Sequence, residues 1–271
     1  MNKLPYGIVV SSQKGGVGKT TVAVNLGIAL NARGYKVLLI DGDYANPTVG
    51  FHLGLEKVNI GLRSVLNGES ELRNSVVSHN PTGMHILPNE VVDKPFRANT
   101  RQVLRFYEEL TKSNYDFIVM DTAPGPLPEQ LLSVFKRWKE LEILILLTPE
   151  AAACMSALRL GTLYNKLHVS REFAVNRIKY RGYELSLDDI EDVCGEKLLG
   201  AMPEDEHVPI SIAEHIPLYL LAPNSNFSKE MRSISRHYAR GITTEPEGEI
   251  SRRGRWSFWI FIRDMLSRIH L

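Results

Sequence analysis

At 271 residues, with 44% hydrophobic and 23% charged residues, the chain has the length and composition of one large globular domain with an appendage, which excludes disordered, collagenous and low-complexity classes. Lys plus Arg number 32 against 31 Asp plus Glu, a net charge of +1, so the surface is not basic throughout and any contact with DNA or membrane must use a local patch. Cys154 and Cys194 form no Cys-x-x-Cys and the eight histidines show no metal-ligand spacing, so neither a disulfide framework nor a zinc or cluster site is indicated.

In chain order, Ile8-Val9-Val10 reads as a buried strand, Thr20 to Arg33 as a helix closed by Gly34, and Val37 to Ile40 as a second strand. The apolar pattern returns at His85 to Leu87, Phe117 to Met120, Ile143 to Leu147, Phe173 to Val175 and Leu198 to Ala201. Runs this short and apolar fit strands buried on both faces. Their alternation with helical segments at Thr100 to Ser113 and Ala152 to Leu167 implies right-handed crossovers and a largely parallel sheet. The expected fold is therefore α/β, a three-layer sandwich around a mostly parallel central sheet, with ligand at the carboxyl edge of the strands. Residues 1–242 make up the expected globular domain, 243–250 a polar, acidic linker, and 251–271 a basic and aromatic C-terminal segment. No run reaches the eighteen or so apolar residues of a membrane span, and the N-terminus leads into a strand pattern, not a signal peptide, so a cytoplasmic location is expected.

Chemistry concentrates between the first strand and the first helix, in Lys14-Gly15-Gly16-Val17-Gly18-Lys19-Thr20-Thr21. Glycines let the backbone curl so that successive N–H groups converge on a polyphosphate, and the helix adds its positive N-terminal end. Lys19 is placed to neutralise phosphate charge and Thr20 to offer its hydroxyl to Mg²⁺. This is a phosphate-binding loop of the P-loop type, and it predicts a bound polyphosphate with Mg²⁺. Two departures mark it: Gln13 stands where a first glycine is usual, and an extra lysine, Lys14, precedes the paired glycines.

Those departures resemble the deviant Walker A motif of the MinD/ParA family of ATPases, in which the additional lysine is the signature. The resemblance covers about residues 6 to 240 and implies that Lys14 acts in trans, on the nucleotide of a second subunit, within an ATP-sandwich homodimer. Asp41-Gly42-Asp43 resembles the family's D-x-D segment. By that resemblance Asp43 orients the attacking water and Asp41 supports the surroundings of the metal, although two solvated turn aspartates are the competing reading. Phe117 to Asp121 is similar to a Walker B strand, whose aspartate holds Mg²⁺, and Thr122-Ala123-Pro124-Gly125 looks like a switch segment with Ala123 where a second proline is common. Asn176-Arg177 and Met202-Pro203-Glu204-Asp205 resemble the adenine-contacting segments, giving Asn176 and Pro203 as base contacts; a helix-capping asparagine and an ordinary turn proline are the alternatives.

Placed on a helix, Phe258, Trp259, Ile262, Met265, Leu266 and Ile269 make one apolar face, with Arg263 and Arg268 on the remainder and Arg252, Arg253 and Arg255 upstream. Beyond a linker, this composition suggests an amphipathic helix lying in an anionic membrane surface; a helix docked on the protein itself is the alternative. MinD proteins carry such a C-terminal targeting helix, and the tail looks like a longer version. The implied function is a MinD-like ATPase whose ATP-dependent dimerisation controls reversible membrane association and spatial positioning, in division or related machinery. It would be peripheral on the cytoplasmic face of the cell membrane, with an activating or effector protein as partner. A ParA-like DNA-partition ATPase is the second reading, and a metabolic enzyme on the same fold the third.

Overall fold

The computed structural model of the protein describes residues 4–55, 58–91 and 96–242, so the expected linker and amphipathic segment lie outside the described residues. In chain order the elements are β1 (Tyr6–Ser11), α1 (Lys19–Asn31), β2 (Val37–Gly42), α2 (Val49–His52), α3 (Leu62–Asn67), α4 (Leu72–Ser75), β3 (Val77–Ser78) and β4 (His85–Leu87). These are followed by α5 (Thr100–Thr111), β5 (Phe117–Thr122), α6 (Glu129–Phe135), β6 (Leu141–Leu147), α7 (Ala151–Lys166), β7 (Arg171–Ile178), α8 (Leu187–Cys194), β8 (Gly200–Pro203), α9 (His207–Ala213), α10 (Leu218–Leu221) and α11 (Asn226–Arg240).

Among the described residues, eight strands form one sheet in the order β3-β4-β2-β5-β1-β6-β7-β8. Every neighbouring pair is parallel except β3 with β4. Alternation along each strand divides the core into two. Ile8 and Val10 of β1, with Leu144 and Leu146 of β6, pack under α1 and α11. Val9, Ile143 and Ile145 face the opposite layer, where they meet Phe106 of α5, Phe135 of α6 and Leu160 of α7. Helix α1 is buried on all sides, because α11 covers the flank that α1 turns away from the sheet. By contrast α5 is a surface helix with a narrow apolar stripe, Val103, Phe106 and Leu110, started by a capping box between Asn99 and Gln102.

The three-layer, mostly parallel expectation holds, with three local differences. Helix α1 ends at Asn31 and the chain turns through Gly34 at φ +93°, a left-handed conformation that glycine adopts without strain. The last strand is Gly200–Pro203, later than the apolar run suggested; Leu199 only begins the ladder, donating its N–H to Phe173 O at 2.8 Å. Strand β3 is a two-residue antiparallel edge with both side chains exposed, so it carries no apolar signature to read.

Candidate functional site

The carboxyl ends of β1, β2 and β5 deliver the loop and its acidic neighbours to one place. Register pairs Val10 with Asp121 and Asp121 with Asp41, so the two aspartates stand side by side on adjacent strands. The strands can close here because Gly42 has no side chain: a Cβ would lie 2.6 Å from Asp121 O. Thr122 Oγ1 adds a hydrogen bond of 2.8 Å to Val10 O, locking β5 to β1 beneath the loop.

The loop is held from outside through its carbonyls. Gly125 N–H donates to Ser12 O at 2.8 Å, Ser12 Oγ to Lys14 O at 2.7 Å, Arg177 Nη1 to Gly16 O at 3.0 Å, and Asn176 Nδ2 to Val17 O at 2.7 Å. Gly16 and Gly18 take φ of +77° and +92°. Left-handed glycines on either side of Val17, with the carbonyls drawn outward, form the kind of curl that turns amides inward to an anion, at the start of a helix that adds its own. Val17 and Thr21 are buried supports of the curl, whereas Lys14, Gly15 and Gly16 are exposed.

Lys19 opens α1 and is 8% exposed. Burial lowers its pKa, opposed by the negative charges of Asp121 and Asp43. Thr20 Oγ1 donates to Asp121 Oδ2 at 2.6 Å and lies 3.2 Å from Thr48 Oγ1. Asp121 Oδ1 is buried with no hydrogen-bond partner among the described residues. Burial, and then the charge of Asp43, push the Asp121 carboxyl up to about 6, against the Thr20 hydrogen bond and Lys19. Asp41 is pushed up to about 8 by burial and then by Asp121, against amide hydrogen bonds from Val49 and Asp43. These hydroxyl and carboxylate oxygens, one buried and unpaired, are hard donors at one point, and they fit Mg²⁺.

The two aspartates of the D-x-D segment separate in role. Asp41 accepts from Asp43 N at 3.3 Å and from Val49 N at 2.9 Å, one bond on each oxygen, so it shapes the loop leading into α2. Asp43 accepts from Ala45 N at 3.0 Å and Asn46 N at 2.9 Å on a single oxygen, an Asx turn that holds its carboxylate beside Lys19. Asn176 caps no helix; it sits 4% exposed within β7 against the phosphate loop. Pro203 ends β8 and pairs in register with Ile178. Sequence reasoning named the segments that hold Arg177 and Glu204 but not their contacts or Lys179: Arg177, at φ +62°, reaches both Gly16 O and Glu204 Oε1, and Lys179 Nζ lies 3.2 Å from Glu204 Oε2. It also missed Thr48, which no motif marks.

A family model described as an AAA domain matches residues 6–141. A putative septum site-determining protein MinD of Oltmannsiellopsis viridis is 31% identical over 223 residues, 80% of this chain and 70% of that one. The chain belongs to the MinD/ParA family of P-loop ATPases. The structure of the septum site-determining protein MinD of Pyrococcus horikoshii, complexed with Mg-ADP, superposes with a TM-score of 0.80 at 27% identity, covering 90% of this chain and all of that one. The MinC:MinD cell division complex of Aquifex aeolicus gives a TM-score of 0.75 at 27% identity, covering 88% of this chain and 97% of that chain. Among the described residues of this MinD/ParA-family chain, no helix is long and apolar enough to cross a membrane.

Proposed function

We propose that this chain is a MinD-like ATPase that dimerises on ATP, associates reversibly with an anionic membrane surface and positions division or related machinery. The observation that carries the reading is the meeting of Thr20, Asp121, Lys19 and Asp43 at one strand edge, with Lys14 outside it on the exposed lip of the loop. Lys19 and the amides of Gly15 to Thr21 hold the β- and γ-phosphates. Thr20 and Asp121 hold Mg²⁺, with Asp41 fixing the neighbouring loop; the ion supplies charge neutralisation to the phosphate oxygens. Asp43 orients the water whose oxygen bonds to the γ-phosphorus as the bond to the β-bridging oxygen breaks, giving ADP and phosphate.

Lys14 stands exposed at the entrance of the loop, away from the buried Lys19, which supports its serving the nucleotide of a partner subunit across a homodimer. Asn176 Nδ2 gives one of its two hydrogens to Val17 O, and its oxygen is left to accept from the adenine amino group, with Pro203 packing on the base. We take 1–242 as the switch, 243–250 as the tether and 251–271 as the membrane helix. The division-protein relatives support the process, and the MinC:MinD complex supports an effector protein as partner.

Co-sedimentation with anionic liposomes tests the reading. Intact protein should pellet in ATP and not in ADP, whereas a chain ending at residue 250 should bind ATP and stay in the supernatant. Binding to duplex DNA in ATP, without lipid binding, would replace it with the partition reading.

A further inference from the structure

At the opposite, amino edge of the sheet three donors meet that the nucleotide chemistry does not use. Glu142 is the second residue of β6 and Glu172 the second of β7. Both share strand parity with Leu144, Leu146 and Ala174, so they point under α1 and α11 into the first core layer. There the carboxylates meet His237, near the end of α11: one donor atom from each of the three residues lies within 4.8 Å of the other two. His237 Nε2 is 3.0 Å from Glu172 Oε1, and Ser170 Oγ donates to Glu142 Oε1 at 3.3 Å.

The remaining oxygens are what this arrangement leaves open. Glu142 Oε2 and Glu172 Oε2 are both buried without a hydrogen-bond partner among the described residues. A second side chain points into the same place. Tyr238 is 1% exposed, and its hydroxyl faces the Glu172 carboxylate without a hydrogen bond of normal geometry among the described residues. Tyr6 closes the other flank, its hydroxyl turned to Glu142. Two adjacent, partly buried carboxylates repel each other, and one imidazole beside Glu172 does not balance the charge of both.

We propose that Glu142, Glu172 and His237 bind one divalent transition cation of the Zn²⁺ class, with Tyr238 as the outer hydrogen-bond partner of Glu172. The charge of the ion matches the two carboxylates, and the imidazole favours Zn²⁺ over the Mg²⁺ of the nucleotide edge. Ligands about 2.0–2.2 Å from a Zn²⁺ require the three donors to draw together by on the order of 1 Å, within the reach of side-chain rotation. The bound ion fastens α11 to β6 and β7, and so fixes the point from which the chain runs on past Ile242. It is independent of the nucleotide reading.

The test uses the full chain, free of nucleotide and Mg²⁺, titrated with Zn²⁺ against a chromophoric chelator and followed in parallel by thermal unfolding. One equivalent should bind, and at 100 times the dissociation constant the midpoint should rise by roughly 5–10 °C, with no rise in equal Mg²⁺. His237→Ala and Glu172→Gln should each weaken binding at least about 10-fold, while Asp121→Asn, at the nucleotide edge, should not. Equal affinity in the intact protein and His237→Ala would mean adventitious surface binding and overturn the proposal, as would an unchanged midpoint. Should Glu172→Gln fail to fold, the half-exposed His237 decides the matter alone.

Discussion

Gly18 joins the conformation of the phosphate loop to the packing of β7, and substituting it should expose that coupling. It caps α1 at φ +92°, and a Cβ there would lie 2.4 Å from Asn176 Nδ2, the nitrogen that donates to Val17 O at 2.7 Å. Gly18→Ala therefore carries two costs. A left-handed alanine is unfavourable by about 1–2 kcal/mol. Expelling the Asn176 amide leaves buried polar groups unpaired, which costs about 1–3 kcal/mol more. The sum, roughly 2–5 kcal/mol, should appear in urea unfolding of the ligand-free protein and lower its thermal midpoint by about 2–4 °C per kcal/mol. Asn176→Ala removes the hydrogen bond and the obstruction together and should cost about 1–3 kcal/mol. Once that side chain is gone, Gly18→Ala has only its backbone cost left. The double variant should therefore be about 1–3 kcal/mol more stable than the sum of the single losses predicts. Losses that add to within about 0.5 kcal/mol would refute the coupling and detach Asn176 from the loop.

Lys19→Ala should weaken Mg·ATP binding by roughly 10- to 100-fold, from about 1.5–3 kcal/mol for hydrogen bonds to a charged group, as read by calorimetry. Light scattering in ATP should separate Lys14→Ala, which binds nucleotide as a monomer and fails to hydrolyse it, from Asp43→Ala, which accumulates as an ATP-bound dimer; identical behaviour would contradict their separate roles. Asp41 and Asp121 both have folded-state pKa values raised above the ordinary carboxylate range, to about 8 and about 6. The folded, ligand-free protein thus favours their protonated forms, and their contribution to stability is present below about pH 4 and lost as pH rises through 6 to 8. Asp121→Asn should flatten the lower part of that decline and, by removing the charge facing Asp41, move the upper part to lower pH, measured by denaturant unfolding in Mg²⁺-free buffer.

What could be read from the sequence is what lies close along the chain. The loop from Lys14 to Thr21 is contiguous, and the apolar runs that end in Asp41 and Asp121 set two strand ends without reference to each other. Their side-by-side placement follows from the order β2-β5-β1, which local periodicity does not contain. The straps on the loop are more distant still: Asn176 lies 159 positions from Val17, and Arg177 lies 161 from Gly16. Any pattern that joined them would have to know that β7 lies two strands from β1.

The same reasoning explains why histidine spacing along the chain does not reveal the proposed metal site. Spacing rules detect ligands that share a helix turn or a tight loop, whereas Glu142, Glu172 and His237 come from two strands and a helix. Each looks ordinary alone: a glutamate at the start of a strand is usually solvated, and a histidine near a helix end is usually a favourable partner for the dipole. Their meeting is forced by packing. Ile234 and Tyr238 seat α11 in the first core layer, and parallel pairing of Ile143 with Arg171 and Leu144 with Glu172 sets β6 against β7 two residues out of step. That register brings Glu142 and Glu172 to the same face and the same edge, where Tyr238, drawn in by its ring, carries its hydroxyl and the adjacent His237 with it. The apolar contacts that hold α11 in place therefore also fix the polar cluster, and a ligand that relieves its charge would stabilise the helix from which the C-terminal segment departs.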